Sequence, residues 1–245
     1  MTPKVLVVPV AYNEKTKLGN VIERFLKSQM PLWADYLIVD DGSHDGTTEM
    51  IASYKDRGVM SVKHPQRRGV GAAIRTGIEY AGTHGYDIIV IMAGNDKDNP
   101  QEISQLLGPI LRENYDLVQG SRYLGKIGSG GQMPFYRKFA TRFHSLVFSL
   151  FTGRLLTDTT NGFRAIRLGI FKDERINLAQ EWLDTYELEP YILWKVITLG
   201  YKFKEVFVTK IYPPKKFGGY TKMIPIISWW SILRPLFYLR LGIKK

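Results

Sequence analysis

The sequence predicts an α/β fold with a mostly parallel central sheet. Over the first half of the chain, apolar runs of four to six residues alternate with segments whose apolar residues recur at helical spacing. This alternation is typical of βαβ units, which build parallel sheets. The length of 245 residues and the hydrophobic fraction of 44% allow one large domain with a substantial core, and they argue against a disordered chain.

The apolar runs predict six strands, and helical patterns lie between them. The strands are residues 5–9, 36–39, 59–63, 87–92, 116–119 and 203–208. The run 87–92 is the most apolar, so we expect it at the centre of the sheet. The helices are predicted near residues 18–26, 47–54, 70–81, 103–111 and 187–199.

The composition narrows the chemistry of the protein. Cysteine is absent, which excludes disulfides, thiolate metal sites and a cysteine nucleophile, so a metal would need oxygen ligands. The chain carries 34 Lys and Arg against 23 Asp and Glu, a formal charge of +11. Basic charge with aromatic residues also fits a nucleic-acid partner, but no recognised nucleic-acid-binding motif accompanies it. We therefore expect no nucleic acid among the partners.

Polar residues follow four of the predicted strands at the point where each strand ends. Ligands of open α/β sheets bind at this edge, near the place where the strand order reverses. Such residues also form turns and helix caps, which explains any single set but explains four sets less well. The sets are Tyr12-Asn13-Glu14, residues 40–43, residues 94–98 and Gly120-Ser121-Arg122.

Asp96 and Asp98 follow the predicted central strand and are separated by one residue. Both carboxylates could therefore reach one cation. Carboxylate oxygens suit Mg²⁺ or Mn²⁺, which proteins often bind together with substrate phosphates. Taken alone, this two-acid pattern fits a solvated turn equally well.

Several motifs together resemble those of inverting family 2 glycosyltransferases. They are residues 10–14, residues 38–47 with Asp40-Asp41-Gly42-Ser43, residues 68–77, and Gly120-Ser121-Arg122-Tyr123. The run 158–165, with Gly162-Phe163-Arg164, is similar to the polyprenyl-phosphate branch of that family, which includes dolichol-phosphate mannose synthase. The resemblance covers most of residues 4–222 and implies a nucleotide-sugar-binding domain of the GT-A type.

The resemblance implies transfer of one sugar from a GDP- or UDP-linked nucleotide sugar to a polyprenyl phosphate, either dolichyl or undecaprenyl, with inversion at the anomeric carbon. The residues that it assigns to the nucleoside are Tyr12, Glu14, Val39 and Asp41. A carboxylate can accept strong hydrogen bonds from ribose hydroxyls or a base N–H. We expect Asp40, in contrast, to form an Asx turn that leads into the next helix.

The predicted metal motif departs from the family pattern. Family members show Asp-x-Asp followed two residues on by Gln, and an alignment on Pro100 places Gly94 at the first Asp. The resemblance then implies a Mg²⁺ or Mn²⁺ site re-formed from Asp96 and Asp98, with Asn95 as an additional candidate. The alternative is that metal affinity is lost and the enzyme is weak or altered.

Cationic residues are implied at the donor phosphates. Arg122 matches the family's arginine near the donor or lipid phosphate, and together with Asp96 and Asp98 it forms the predicted catalytic set. Lys216 and Lys222 lie in a motif that resembles Arg-x-x-Gly-x-Ser-Lys. They could close a loop over the diphosphate, and an ordinary solvated basic turn is the alternative.

The acceptor side is predicted from the basic and aromatic segment 135–151. Its cations alternate with aromatic rings and then give way to apolar residues, so one face could lie on lipid while basic residues meet a phosphate head. A core helix is the alternative for its apolar half, and we expect His144 to be structural or interfacial. Glu189 is a lesser candidate for donor-side support. The predicted acceptor residues are Arg137, Arg142, Asp158 and Arg164, although Asp158 could equally be structural and cap Gly162-Phe163-Arg164.

Residues 223–245 are predicted as an apolar and basic segment that follows a glycosyltransferase domain of residues 1–222. Two prolines and two arginines interrupt it, and an intramembrane Arg costs about 2.5 kcal/mol or more, which argues against a spanning helix. We expect a pair of interfacial helices broken at Pro235, in a peripheral protein on the cytoplasmic face of a membrane. Burial on the domain or in a homo-oligomer is the competing interpretation.

Two other functions fit the same motifs. A family 2 transferase that acts on a glycan hydroxyl would need a general base, whereas a phosphate acceptor is already anionic at neutral pH. A non-catalytic, membrane-anchored binding subunit would explain Gly94 in place of the usual acid.

Overall fold

The computed structural model describes residues 2–28, Met30, and residues 33–125, 133–211 and 227–245. These residues form one seven-stranded sheet. The strands are β1 (Val5–Ala11), β2 (Ala34–Asp40), β3 (Val59–Lys63), β4 (Ile88–Ala93), β5 (Leu117–Ser121), β6 (Arg164–Arg167) and β7 (Phe203–Phe207). Their order across the sheet is β3-β2-β1-β4-β6-β5-β7.

The helices of the described residues cover both faces of this sheet. They are α1 (Lys15–Leu26), α2 (Thr47–Ala52), α3 (Val70–Thr83), α4 (Ile103–Glu113), α5 (Phe135–Thr152), α6 (Leu188–Thr198) and α7 (Ile227–Arg240). The predicted α/β fold class is therefore confirmed, and all six predicted strands are present. The most apolar run became β4, the central strand of the seven, as expected.

The sheet departs from a purely parallel arrangement at one strand. Strand β6 was not predicted, and it pairs antiparallel with both β4 and β5. The other strand pairs of the sheet are parallel. As a result, β4 and β5 are held apart by one strand, and the ends of both strands face the same edge.

The apolar core consists of two layers, one on each face of the sheet. Alternate residues of a strand point to opposite faces, so Leu6 and Val8 lie in one layer while Val5 and Val7 lie in the other. Helices α3 and α6 supply the first layer, and helices α1 and α4 supply the second. Burial of both faces explains why the strands read as continuous apolar runs.

Helix α7 corrects the prediction of two helices broken at Pro235. The helix continues through Pro235, and both this proline and Leu236 are buried. The helix packs on α5 and α6, with the rings of Phe151 and Phe237 5.4 Å apart. This packing offsets the roughly 3 kcal/mol that an interior proline costs a helix.

The predicted boundary between residues 222 and 223 lies outside the described residues, so the division into two segments stays a prediction. In the part of the chain that the structure describes, no helix has the length and apolar character needed to cross a membrane.

Candidate active site

A cavity of about 280 Å³ opens at the carboxyl ends of β1 and β4. Strands β2 and β3 extend the sheet on one side of this pair, and the later strands extend it on the other, so the cavity lies at the reversal of strand order. Members of all four polar sets meet there. The members that line the cavity are Tyr12, Glu14, Asp41, Asn95, Lys97, Asp98 and Arg122.

Tyr12 and Glu14 form one end of the cavity, directly after β1. The guanidinium of Arg67 lies 4.5 Å from the centroid of the Tyr12 ring, a cation–π contact. The carboxylate of Glu14 pairs with Lys17 at 3.4 Å. An aromatic face beside a carboxylate can receive a nucleobase and its ribose.

Asp40 forms the Asx turn that the sequence predicts. Its Oδ1 accepts a hydrogen bond from the backbone N–H of Ser43 at 2.9 Å, and its Oδ2 accepts from the hydroxyl of Thr48 at 2.6 Å. Both carboxylate oxygens are thus used to guide the chain from β2 into α2.

Asp41 lines the cavity and also holds a neighbouring loop in place. Its carboxylate accepts from the backbone N–H groups of Arg68 and Gly69, each at 2.8 Å, and Nδ1 of the buried His64 lies 2.8 Å from Oδ1. Gly69 has φ +114, and a side chain there would collide with the carbonyl of Asp184. The carboxylate therefore fixes the cavity wall in addition to its predicted contact with a nucleoside.

Two predicted residues lie away from the cavity. Val39 is fully buried in the apolar core, because its position in β2 points its side chain into the layer beneath α3. Its side chain therefore does not line the cavity, and its contact with a nucleoside stays a prediction. Arg142 is exposed on α5, where its guanidinium stacks 4.3 Å above the ring of Tyr123.

Arg164 is a buried structural residue in place of the predicted acceptor contact. Its guanidinium donates to the carbonyls of Asn161 and Glu189, each at 3.0 Å, and lies 3.5 Å from the Glu189 carboxylate. Glu189 itself lines the cavity. Arg164 thus positions Glu189 and does not reach the cavity.

The predicted metal pair, Asp96 and Asp98, does not converge on one point. Asp96 adopts a left-handed backbone conformation with φ 63, and its carboxylate pairs with Arg24 of α1, outside the cavity lining. Asp98 is fully buried; its Oδ1 pairs with Lys210 at 2.5 Å and its Oδ2 accepts from the N–H of Ala93 at 2.9 Å.

Gly94, at the first acid position of the family pattern, has little room for a side chain. A Cβ there would lie 3.0 Å from the carbonyl oxygen of Val10 and 3.1 Å from Leu18. Among the residues that the structure describes, no three His, Asp or Glu side chains are grouped so as to hold a metal. The described donor set therefore does not fit the predicted Mg²⁺ or Mn²⁺ site.

Arg122 enters the cavity from the end of β5, held by a buried carboxylate. Its Nε and Nη2 each donate to Asp158 at 2.6 Å, and Nη2 also donates to the hydroxyl of Thr160 at 2.7 Å. Burial opposes ionisation, but the guanidinium of Arg122 keeps the pKa of Asp158 below its ordinary value. Asp158 is thus the positioning partner of Arg122, and it lies behind the cavity wall.

Cations outnumber carboxylates in the cavity lining. Lys97 is 7% exposed; burial, followed by the charges of Arg137 and Lys210, lowers the pKa of Lys97 to about 7. A lining rich in cations suits an anionic ligand such as a diphosphate. The cations are Lys17, Arg67, Lys97, Arg122, Arg137 and Lys210, and the carboxylates are Glu14, Asp41, Asp98 and Glu189.

Helix α5 connects the cavity with an exposed apolar surface. Near its start, Arg137 lines the cavity. A stripe of large apolar side chains then follows at intervals of three and four residues, each between 47% and 84% exposed. This α5 stripe consists of Phe135, Phe139, Phe143, Leu146 and Leu150.

His144 is buried on the inner side of α5, in agreement with the expected structural role. Its Nε2 lies 3.0 Å from the carbonyl oxygen of Ile232 in α7, and its Nδ1 lies 2.7 Å from the hydroxyl of Thr159. Burial lowers the pKa of His144 to about 4. The neutral imidazole therefore links α5 to α7 and to Thr159, which belongs to the segment 158–161 behind the cavity.

Sequence reasoning missed several lining residues, and it placed others that the structure does not describe. Lys97 lies between the two acids of the predicted metal motif, and Arg67 directly precedes the family motif of residues 68–77. Their positions in the sequence could therefore have identified both as candidates. Tyr186 and Lys210 lie in no recognised motif, and only the folding of the chain brings them to the cavity. Lys216 and Lys222 lie outside the described residues.

Comparisons with known proteins identify related glycosyltransferases. The sequence profile described as "Glycosyl transferase family 2" matches residues 6–175. A polyprenol monophosphomannose synthase from Mycolicibacterium smegmatis is 29% identical over 212 residues, which cover 85% of this chain and 77% of that protein. An undecaprenyl-phosphate mannosyltransferase from Micrococcus luteus is 30% identical over 211 residues, with 84% and 83% covered.

A solved structure shares the fold at lower identity. Glucosyl-3-phosphoglycerate synthase from Mycobacterium tuberculosis, crystallised with Mn²⁺, UDP-glucose and phosphoglyceric acid, superposes with a TM-score of 0.67. The sequence identity is 18%, and the match covers 100% of this chain and 82% of that chain. The same enzyme has also been crystallised with Mg²⁺ and UDP.

Proposed function

The chain belongs to glycosyl transferase family 2, and from this premise we propose that it transfers one hexosyl group from a nucleotide diphosphate sugar to a polyprenyl phosphate, with inversion at the anomeric carbon. The two mannosyl-transferring relatives act, by their names, on polyprenol and undecaprenyl phosphate. The proposal places the protein at a membrane surface, as a peripheral enzyme on the cytoplasmic face.

The observation that carries the acceptor assignment is the placement of helix α5. One helix supplies a cation to the cavity, Arg137, and an exposed α5 stripe to its surroundings. A polyprenyl phosphate has the matching chemistry, because its headgroup is an anion and its tail is a long hydrocarbon. The α5 stripe would lie among lipid chains while Arg137 meets the phosphate.

The donor assignment rests on the opposite end of the cavity. Tyr12 offers a ring face, and Glu14 and Asp41 offer carboxylate oxygens for the hydroxyls of a nucleoside. Arg122, which Asp158 holds in place, points a guanidinium at the interior, where the diphosphate would lie.

The proposed chemistry needs no protein base. An anionic oxygen of the lipid phosphate attacks the anomeric carbon as its bond to the diphosphate oxygen breaks, and the electron pair of that bond leaves with the nucleoside diphosphate. The lining cations stabilise the charge that develops on the leaving group. No step is assigned to a divalent cation, because the described carboxylates do not form a site for one.

The ion pairs made by the carboxylates of the cavity lining favour a phosphate acceptor over a glycan hydroxyl. A hydroxyl would need a general base within reach of its proton. Glu14 pairs with Lys17, Asp98 pairs with Lys210, and Glu189 lies beside Arg164. Each of these three carboxylates is therefore already engaged by a cation, which favours an acceptor that needs no base.

A panel of labelled UDP- and GDP-sugars tests the proposal when it is combined with purified protein and either polyprenyl phosphate or soluble glycan. We expect label in the lipid fraction with one nucleotide sugar. Arg137→Gln should reduce this rate at least about tenfold through loss of one charge-assisted phosphate contact. Lys138→Gln, which removes the same charge from the next, exposed position of α5, serves as the matched control. Label in glycan alone would refute the acceptor assignment.

Vesicle sedimentation tests the role of the α5 stripe. The double variant Phe139→Ser and Leu150→Ser should weaken binding to anionic lipid vesicles at least about tenfold, since burial of each such side chain contributes about 2 kcal/mol. Leu111→Ser, which changes an exposed leucine of α4, is the control. If sedimentation velocity shows a dimer that the double variant dissociates and vesicle binding is unchanged, the stripe contacts a second copy instead of lipid.

A further inference from the structure

The loop after β4 presents a lysine to the cavity at the place where the family pattern predicts metal-binding acids. Asn95, Lys97 and Asp98 line the cavity, whereas Asp96 is directed to α1. The left-handed conformation of Asp96, with φ 63, produces this exchange of sides. Such a conformation is uncommon for a residue other than glycine, and strained backbone is often found at functional sites.

The carboxylates of this loop already have cationic partners from other elements. Asp96 pairs with Arg24 of α1, and Asp98 pairs with Lys210, which follows β7. Asn20 adds a second contact to Asp96 at 3.4 Å. A divalent cation would have to displace both ion pairs and turn Asp96 around.

The backbone of Lys97 is tied to the segment that follows β7. Its backbone carbonyl accepts a hydrogen bond from the N–H of Ile211 at 2.9 Å, beyond the end of β7. The charged groups that act most strongly on its ammonium are three cations, led by Arg137 and Lys210 and including Lys17; the carboxylate of Glu14 acts less. A cavity wall this rich in positive charge attracts an anion of high charge.

We propose that Lys97, assisted by Lys210, binds the diphosphate of the nucleotide sugar and takes the place of a divalent cation in this protein. The inference rests on the proposed function and adds to it the group that receives the leaving diphosphate. The ammonium of Lys97 neutralises the charge that appears when the bond between sugar and diphosphate breaks. Asp98 keeps Lys210 at the cavity wall through their 2.5 Å ion pair.

Calorimetry with free UDP and GDP tests this inference without turnover. The wild-type protein should bind one of the two in EDTA with an affinity within about threefold of that in Mn²⁺ or Mg²⁺. Lys97→Gln should weaken the binding in EDTA at least about tenfold, the size of one strong charge-assisted contact. Lys97→Arg should restore most of the affinity, because it returns the charge.

Two controls separate a ligand-binding role from a structural one. Lys55→Gln removes an exposed lysine far from the cavity lining and should leave the affinity unchanged. The ligand-free melting temperature of Lys97→Gln should stay close to that of the wild type, because the side chain lines an open cavity and does not belong to the apolar core. A lower melting temperature with unchanged affinity would overturn the inference.

The outcomes also separate this inference from the proposed function. Binding that appears only with Mn²⁺ or Mg²⁺, and that Lys97→Gln leaves unchanged, overturns the role of Lys97 while the transferase assignment stands. No binding of either diphosphate under any condition overturns both.

Discussion

Acidification should destabilise this protein through one buried histidine, His144. In the folded state, burial lowers the pKa of its imidazole to about 4, whereas an unfolded chain has the ordinary value near 6.5. As the pH falls below about 6.5, the unfolded chain takes up a proton that the folded chain does not, so the free energy of unfolding falls. Below about pH 4 both states are protonated, and this group adds no further loss.

The magnitude follows from the difference between the two pKa values. A difference of about 2.5 units corresponds to about 3 kcal/mol at full development, and at pH 5 the loss is about 2 kcal/mol. The structural cause is specific. The Nε2–H group donates to the carbonyl of Ile232 while Nδ1 accepts from the hydroxyl of Thr159, so both nitrogens of the neutral ring are used. The charge of Asp158 raises the pKa of His144, but burial outweighs it.

Urea denaturation at about pH 8 and about pH 5 measures this effect, with the free energy of unfolding extrapolated to water. His144→Gln should be less stable than the wild type at pH 8, and the difference between the two should shrink by about 2 kcal/mol at pH 5. His84→Gln, at an exposed position of the α3 C-terminus, corrects for unrelated groups. A difference between wild type and His144→Gln that stays constant within about 0.5 kcal/mol would refute the reasoning.

Three further outcomes follow from the contacts of the site. Gly71→Ala should lower the free energy of unfolding by about 1–3 kcal/mol in urea denaturation, because a Cβ would overlap the carbonyl of Leu183; an unchanged midpoint would contradict this packing. Asp158→Asn should cost about 3 kcal/mol by the same method, since it leaves buried Arg122 without its counter-charge. Asp96→Asn should leave the calorimetric affinity for UDP and GDP within about twofold, because the carboxylate pairs with Arg24 outside the cavity lining; a tenfold loss confined to Mn²⁺ buffers would restore Asp96 as a metal ligand.

The sheet could be predicted because both of its faces are buried, so its strands are continuous apolar runs in the sequence. Strand β4, with the sequence Ile-Ile-Val-Ile-Met-Ala, is recognisable without any partner. Strand β6 is not, because it has four residues with an arginine at each end, and only Ala165 and Ile166 between them. Its extended conformation depends on hydrogen bonds to β4 and β5, which no local pattern reveals.

The location of the site could also be predicted, because parallel topology gathers strand ends at one edge. The direction of each side chain could not. Asp96 and Lys97 are neighbours, and a left-handed backbone at Asp96 decides which of them enters the cavity. Arg24 and Lys210, which hold Asp96 and Asp98, come from positions about 70 and 110 residues away in the chain. A sequence motif shows neither the backbone conformation of Asp96 nor these distant cationic partners.

The segment behind the cavity joins the proposed donor and acceptor sides through buried polar contacts. Asp158 holds Arg122, Thr159 bonds to His144 of α5, and the side chain of Asn161 accepts from Lys210 at 3.0 Å. Apolar packing fixes α5 only on its inner side, because the α5 stripe faces outward. The register of α5 against the cavity is therefore tied to the bonds of Thr159 with His144 and Ser145, because hydrogen bonds tolerate little displacement. Residues 158–161 thereby position both α5, the helix proposed to lie on lipid, and the cations proposed to hold phosphate.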